Sequence, residues 1–281
     1  ELEPKTCARI FTGAPVPPGA DAVIMQENAS ARDDSVTFTK ACSVGENIRS
    51  QSQDMALGQS VFDAGRRLSA ADIGVLATLG IDQVSVLKPV TVALVSSGDE
   101  LCEPGQPLQL GQIYNSNAYC LRALLESIGC EVVFQQWAAD TIDATRETLA
   151  KAAAVADLVI SSGGASVGDA DYMLQVVGEI GTVNTWKLAI KPGKPLMFGA
   201  INGVPFFGLP GNPSSAFVTC LIAVLPFIEK LQHAAKPIIE SSFAVTDFDW
   251  PKAGGRQEYL RAQTYYDGVT QKVRLYPNQS S

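Results

Sequence analysis

The sequence has few of the residues on which histidine- and cysteine-based chemistry depends. Its 281 residues include one histidine, His233, and six dispersed cysteines without a C-x-x-C pair. A single histidine argues against a Ser-His-Asp triad and against a histidine-rich metal centre. The cysteines are typical of core positions in a reducing compartment, so we expect a cytoplasmic protein. His233 is expected to face solvent near the end of a helix.

Excess positive charge and long apolar runs are also missing. There are 21 lysines and arginines against 29 aspartates and glutamates, a net charge of −8, which argues against a nucleic-acid partner. The longest apolar run, residues 216–228, is shorter than the about 20 residues of a membrane span, so it predicts a buried helix. No basic and apolar leader is seen, and neither a signal peptide nor a membrane partner is expected. Any anion site must be a local positive patch in an acidic chain.

Composition and periodicity divide the chain into four predicted segments: a β-rich domain (1–50), part of a small linking α+β domain (51–88), a central α/β domain (89–235) and an incomplete C-terminal β domain (236–281). In the central segment, short apolar strands alternate with amphipathic helices, with strands at 91–96, 131–135 and 157–160 and helices at 117–128, 143–155, 171–180 and 214–231. This alternation predicts a three-layer α/β domain with a mostly parallel sheet. Ligands of such sheets bind at the carboxyl ends of the strands.

The outer segments carry shorter signals. A helix is predicted at 69–79, with Ser69 as its N-cap and a buried face made by Ile73, Leu76 and Ala77. Strands are predicted at 22–25, 36–39, 84–87, 243–245, 259–263 and 273–276. Asp267-Gly268 predicts a hairpin between the last two.

Three lysines form a basic stretch without acidic neighbours. Lys187, Lys191 and Lys194 lie within residues 183–195, and the motif Lys191-Pro192-Gly193-Lys194-Pro195 is stiffened by its prolines. Ammonium groups arranged in this way bind phosphate, carboxylate or another oxyanion. A solvated basic loop is the alternative.

Two glycine-rich loops follow predicted strands. The first is Ser161-Ser162-Gly163-Gly164-Ala165-Ser166-Val167-Gly168, whose backbone N–H groups could approach an anion at a helix N-terminus. It matches neither the dinucleotide-binding nor the P-loop motif. The second is Gly208-Leu209-Pro210-Gly211-Asn212-Pro213-Ser214-Ser215, where Ser214 or Ser215 is expected to cap the last helix. For both loops a purely structural turn is the alternative.

Carboxylates follow three of the predicted strands. Asp99 and Glu100, Asp140, and Asp169 with Asp171 would meet at one edge of the sheet. Mg²⁺ takes few protein ligands and prefers phosphate oxygens, so these acids suggest a Mg²⁺ site shared with a phosphate. The alternative is that they are partners of helix dipoles.

Taken together, four motifs resemble one known family. Ser97-Gly98-Asp99-Glu100-Leu101, the loop 161–168, the lysine motif 191–195 and the loop 208–213 resemble the molybdopterin molybdenumtransferases, which include bacterial MoeA and the gephyrin E domain. Residues 9–17 and 45–49 resemble that family's second domain. The resemblance implies an elongated homodimer with a composite active site and a molybdopterin-binding central domain. It also implies Mg²⁺-dependent insertion of molybdate into the dithiolene of adenylylated molybdopterin, with release of AMP.

The resemblance also implies roles for individual residues. Molybdate would be held by Lys191, Lys194, Ser215 and Arg261. Mg²⁺ and the pyrophosphate would be served by Glu100, Asp140 and Asp171, with Lys187 nearby. Thr12 would come from the partner subunit and face the site. The remaining substrate-binding positions lie in the two glycine-rich loops, at Ser161, Gly163, Gly164, Ser166, Pro210, Gly211, Asn212 and Pro213.

The sequence departs from the family in two places. The family's N-terminal D-N-S-A-M-D-G-Y-A type motif is not present, and the β-barrel-like C-terminal domain is truncated at Ser281, so we expect a fragment. Two other functions stay open: the molybdopterin adenylyltransferase that precedes this enzyme, and a non-catalytic scaffold of the gephyrin type. A transient contact with the adenylyltransferase is a further expectation. The extra β-rich segments favour the insertase.

Overall fold

The fold is described from a computed structural model. It describes residues 1–163, 170–235, 237, 239, 241–250 and 254–279, without the side chains of residues 170, 171 and 186. The chain divides into two compact units, Glu1–Asp63 and Ala64–Ser281.

The first unit contains one short hairpin. A 3-10 turn (Gln26–Asn28) leads into the antiparallel strands β1 (Ala29–Arg32) and β2 (Ser35–Phe38). The strand predicted at 36–39 is therefore confirmed, shifted by one residue. The strand predicted at 22–25 is wrong, because Val23 is held instead by loop contacts to Glu46 and Asn47. No residue of this unit is buried.

The second unit begins with helix α1 (Ala70–Thr78), capped by Ser69 as predicted. Its Oγ accepts a hydrogen bond from the Asp72 N–H, and the Asp72 carboxylate accepts one from the Ser69 N–H. The predicted apolar face is wrong at Ile73 and Ala77, which are exposed. Leu76 is buried. One turn earlier on the same side of the helix lies Asp72, which is also buried and pairs with Arg66 at 2.7 Å.

The segment 84–87 forms no strand although it is rich in β-branched residues. Val86 is 71% exposed, and the described part of the chain gives these residues no partner strand. This prediction is wrong because β-propensity reflects packing on a sheet, and no sheet receives the segment here.

The central region follows, in chain order, as β3 (Thr91–Ser97), β4 (Leu101–Cys102), β5 (Ile113–Tyr114), α2 (Ser116–Ser127), β6 (Glu131–Ala138), α3 (Ile142–Val155), β7 (Leu158–Ser162), α4 (Ala170–Ile180), β8 (Gly181–Trp186), β9 (Ile190–Lys191), β10 (Met197–Ile201), β11 (Val204–Leu209), α5 (Pro213–Thr219), a π-helical turn (Cys220–Val224) and α6 (Leu225–Leu231).

Six of these strands form one sheet in the order β6–β3–β7–β11–β10–β8. The first four are parallel, and β10 runs antiparallel to both of its neighbours. One face packs on α2, α5 and α6, and the other packs on α3 and α4. The predicted three-layer α/β domain is confirmed, with a mixed sheet.

The antiparallel part of the sheet was not predicted. β10 and β11 are joined by Asn202-Gly203, and both residues have positive φ. Asn-Gly between two apolar runs is a strong hairpin signal because both turn positions favour positive φ.

The last helix of this region is long and apolar enough to cross a membrane by length and composition (Pro213–Leu231). In the structure it lies against the sheet, with Ala216, Cys220, Val224, Leu225 and Ile228 at most 1% exposed. This confirms the predicted buried helix. His233 follows the helix and is exposed, as predicted.

The C-terminal part contains β12 (Val245–Thr246), β13 (Gln257–Glu258), β14 (Ala262–Asp267) and β15 (Thr270–Leu275). β14 and β15 form the predicted hairpin, with β12 parallel to β15. β13 pairs with β9, which links this part to the lysine motif. All six cysteines are free.

Candidate functional site

The loops at one edge of the sheet contain most of the predicted site residues. β3, β6, β7, β8 and β11 all have their carboxyl ends at this edge. Along the edge, the loops after β6 and β3 carry carboxylates, those after β7 and β11 are glycine-rich, and the β8–β10 connection carries the lysines. The sheet therefore places the acidic loops, the glycine-rich loops and the lysine-bearing connection side by side along one edge.

A cleft of about 340 Å³ opens in the middle of this edge, between the N-terminal ends of α2 and α5. It is lined by Ser97, Glu100, Leu101, Ile113, Tyr114, Asn115, Ser116, Asn117, Ser162, Gly163, Gly211, Asn212 and Pro213. The structure therefore brings together Glu100, Gly163, Gly211, Asn212 and Pro213 from the predicted set. Two helix N-termini at one cleft favour an anionic ligand.

Two asparagines that the sequence analysis did not single out belong to this cleft. Asn115 caps α2 through the Ala118 N–H, and its Nδ2 donates to Ser96 Oγ at 3.0 Å. Asn117 Nδ2 donates to Ser162 Oγ at 2.7 Å and to the Gly211 carbonyl at 2.8 Å. The N-cap position of Asn115 was detectable from sequence, whereas the partners of Asn117 are remote in the chain.

The predicted cap of α5 is corrected. Asn212, rather than Ser214 or Ser215, caps the helix by accepting from the Ser214 N–H at 3.2 Å, with Pro213 in the first turn. Ser215 is buried inside the first turn, and its carbonyl accepts from Thr219 Oγ1.

Gly163 allows the ends of two strands to approach closely. Its φ is +93°, and a Cβ placed there would overlap the carbonyl oxygen of Ser97. Its N–H donates to the Leu209 carbonyl at 3.3 Å, so this N–H is already engaged within the protein. Gly163 therefore contributes space to the cleft wall.

Asp140 is held in place by the loop after β3. The Ser97 hydroxyl donates to Oδ1 at 2.8 Å, and the Asp99 N–H donates to Oδ2 at 3.1 Å. The Asp140 N–H in turn donates to Asp99 Oδ1 at 3.2 Å. A carboxylate fixed from both oxygens keeps lone pairs for a further ligand.

The three acids predicted to bind a metal are not all described. Asp140 and Glu100 follow neighbouring strands, whereas the side chain of Asp171 lies outside the described part. Over the described residues, no group of three or more His, Cys, Asp or Glu is close enough to hold a metal ion.

The lysines lie at the same edge but outside the cleft. Lys187, Lys191 and Lys194 are exposed, and none of them is among the described residues that line it. Lys191 Nζ is 3.5 Å from Glu258 Oε1 of β13. Gly193, between the lysines, packs so tightly on Thr219 of α5 that a Cβ would overlap the Thr219 methyl group.

The other predicted residues have separate positions. Pro210 is buried next to the cleft, Arg261 precedes β14, and Ser161 is buried in β7 with no hydroxyl partner among the described residues. Thr12 is exposed in a turn of the first unit closed by the Ala14 N–H and the Phe11 carbonyl. Gly164, Ser166 and Asp169 lie outside the described residues.

Known proteins resemble both parts of this chain. Residues 1–80 match the MoeA N-terminal region (domain I and II), and residues 93–230 match a probable molybdopterin binding domain. A molybdopterin molybdenumtransferase of Haemophilus influenzae is 41% identical over 267 residues, covering 94% of this chain and 66% of the relative. One from Nostoc is 41% identical over 239 residues, covering 84% of this chain and 55% of the relative.

Solved structures agree with these matches. The crystal structure of the molybdopterin biosynthesis MoeA protein from Pyrococcus horikoshii OT3 has a TM-score of 0.77 at 28% identity, covering 97% of this chain and 66% of that chain. The chain thus spans 55–66% of the length of these relatives. Because the two matched families follow each other in order along the sequence, and because relatives at 41% identity match along most of it, the chain belongs to the MoeA family.

Proposed function

We propose that this chain inserts molybdate into the dithiolene of adenylylated molybdopterin and releases AMP. The observation that supports this reaction best is the order of chemistry along the sheet edge. Carboxylates lie at one side and reach the cleft in the middle through Glu100, and lysines lie at the other side. The organic substrate is elongated and carries a pyrophosphate, and the co-substrate is a separate oxyanion. These two reactants need carboxylates, a cleft and cations at different points along the edge.

The charges of the reactants explain the lysines. Molybdate and the dithiolene sulfurs are both negative, so bringing them together is opposed by repulsion. Lys191 and Lys194 can offset it, because a charge-assisted hydrogen bond contributes about 1.5–3 kcal/mol. Arg261 and Ser215 are the further molybdate contacts in this proposal, and Lys187, in the same β8–β10 connection as the other two lysines, is an additional cation for the anionic reactants.

The cleft explains how the organic part of the substrate would be held. Besides Glu100, its walls carry serines, asparagines and glycines, and it lies at two helix N-termini that favour a phosphate. Ser161, Gly163, Gly164, Ser166 and the residues 210–213 are the proposed binding positions.

Mg²⁺ belongs to the same proposal. Asp140 fits this ion because its carboxylate is already oriented by Ser97 and Asp99, and Glu100 follows the adjacent strand. Hard oxygen donors suit Mg²⁺, which usually keeps phosphate or water among its ligands. Asp171 is the proposed third acid. When bound, the ion would neutralise charge on the pyrophosphate.

Partners are also proposed. A cytoplasmic homodimer would let Thr12 of one subunit serve the site of the other, and a transient contact with the adenylyltransferase would deliver the adenylylated substrate. No residue of the first unit is buried, and Phe11, next to Thr12, is 74% exposed. This exposure supports the proposal that a second subunit packs against the first unit.

The test is AMP release from adenylylated molybdopterin with Mg²⁺, with and without molybdate. We expect release to depend on molybdate, and Lys191→Ala to raise the molybdate concentration at half-maximal rate about 10- to 100-fold. Lys230→Ala, an exposed lysine of α6, is the matched control. Molybdate-independent release, or unchanged molybdate dependence in Lys191→Ala, contradicts the proposal. Adenylate formation from molybdopterin and Mg-ATP would instead indicate the adenylyltransferase.

A further inference from the structure

Asn117 connects three separate parts of the cleft. Its amide nitrogen reaches the hydroxyl of Ser162, at the end of β7, and the carbonyl of Gly211, in the loop before α5. These partners are 45 and 94 residues away in the sequence. One side chain on α2 therefore holds two walls of the cleft at a fixed separation.

The orientation of this amide is determined by its partners. The Gly211 carbonyl can only accept a hydrogen bond, so the nitrogen of the Asn117 amide must face it. Both N–H bonds are then used by the protein. The amide oxygen accepts no hydrogen bond from the described residues and stays available at the cleft.

Asn117 differs in this respect from the other asparagines that line the cleft. Asn115 caps α2 and Asn212 caps α5, so each is explained by a helix end. Asn117 is the second residue of α2, and its side chain bonds to Ser162 and Gly211 rather than to the first turn of its own helix. The contacts of this side chain therefore belong to the cleft and not to a helix cap.

We propose that Asn117 is a positioning residue for the adenylylated molybdopterin substrate. By joining Ser162 to Gly211 it sets the width of the cleft, and its loss loosens both walls without touching the lysines. This inference rests on the proposed function. It predicts a selective defect in binding the organic substrate and leaves the molybdate interaction intact.

The experiment compares steady-state kinetics of Asn117→Ala and the wild type with each substrate varied separately. We expect the KM for adenylylated molybdopterin to rise at least 10-fold, while the KM for molybdate changes less than 2-fold. Fluorescence titration with metal-free molybdopterin gives a second readout that needs no turnover, with a matching rise in Kd. Asn184→Ala, an exposed asparagine of β8, is the matched control.

The outcomes separate this inference from the proposed function. If the wild type turns over and Asn117→Ala has an unchanged KM for the organic substrate, or equal changes for both substrates, the positioning role is wrong. If the wild type neither turns over nor binds molybdopterin, the proposed function fails and this inference fails with it. Should Asn117→Ala not fold, Ser162→Ala removes one of the two bonds. A smaller rise in the same KM is then expected, and no rise overturns the inference.

Discussion

Gly163 contacts the backbone of Ser97 so closely that no side chain fits between them. This contact joins the carboxyl ends of β7 and β3 and thereby brings Gly163 next to the loop that holds Asp140. The distance between these two strand ends therefore depends on the absence of a side chain at residue 163.

Gly163→Ala is expected to lower the free energy of unfolding by about 1–3 kcal/mol, because the new Cβ meets the Ser97 carbonyl at a positive φ. Urea unfolding followed by tryptophan fluorescence measures this change. Gly105→Ala is the matched control, since Gly105 has φ of +91° but open space around it. Equal effects of the two substitutions would mean that φ alone matters and the close contact does not.

Gly193→Ala tests the contact between the lysine motif and α5. The added Cβ would overlap the Thr219 methyl group, so we expect a loss of stability of about 1–3 kcal/mol and weaker molybdate binding. Thr219→Ser removes that methyl and keeps the hydroxyl that donates to the Ser215 carbonyl. The double variant should recover part of the loss, and simple additivity would show that the two residues do not interact.

Ser97→Ala removes the hydroxyl that donates to Asp140. If Asp140 binds Mg²⁺, the concentration of Mg²⁺ at half-maximal AMP release should rise about 10-fold, since groups that orient a metal ligand typically affect affinity by 10- to 100-fold. Ser127→Ala, at the far end of α2, is the control. An unchanged Mg²⁺ requirement would remove Ser97 from this role.

The cap of α1 should make stability depend on pH. The Arg66 guanidinium, followed by the Ser69 backbone N–H, holds the pKa of Asp72 well below its ordinary value of 3.8. Because the folded pKa lies below the unfolded one, this stabilisation is fully present above about pH 4, decreases as the pH falls below that value, and is lost only as the pH falls through the folded pKa. Wild type should exceed Asp72→Asn in unfolding free energy at pH 7, and this advantage should be smaller at pH 3.

Two further variants accompany that measurement. Ser69→Ala should cost about 1 kcal/mol through loss of the N-cap. Asp82→Asn, at an exposed carboxylate after α1, is the control and is measured at the same two pH values. A difference between wild type and Asp72→Asn that stays the same at both pH values would contradict the assigned cause.

The sequence predicted those features that depend on local spacing. α2 was found because Leu121, Leu125 and Ile128 recur at helical intervals, and Ser69 was recognised as a cap from its own neighbourhood. The segment 84–87 misled because its β-branched residues indicate a preference for a sheet but not the presence of a partner strand.

The candidate site was only partly predictable. Charge composition pointed to Lys191 and Lys194, but their separation from the cleft is set by the unpredicted strands β8 and β10. Asn117 was missed because its two partners come from distant segments, and only the folded sheet edge brings them within 2.8 Å.

The π-helical turn before α6 changes which side chains of the helical stretch 213–231 lie on its buried side. Pro226 has no N–H to donate, and the Leu225 N–H reaches back to the Cys220 carbonyl instead. The buried residues Ala216, Cys220, Val224 and Ile228 recur every four positions, a spacing that would drift by about 40° per step around a regular helix. The wider turn takes up part of this drift, so the two halves keep a common inner side. A helical wheel drawn through residues 213–231 as one regular α-helix would therefore spread these buried residues around the helix instead of placing them on one side.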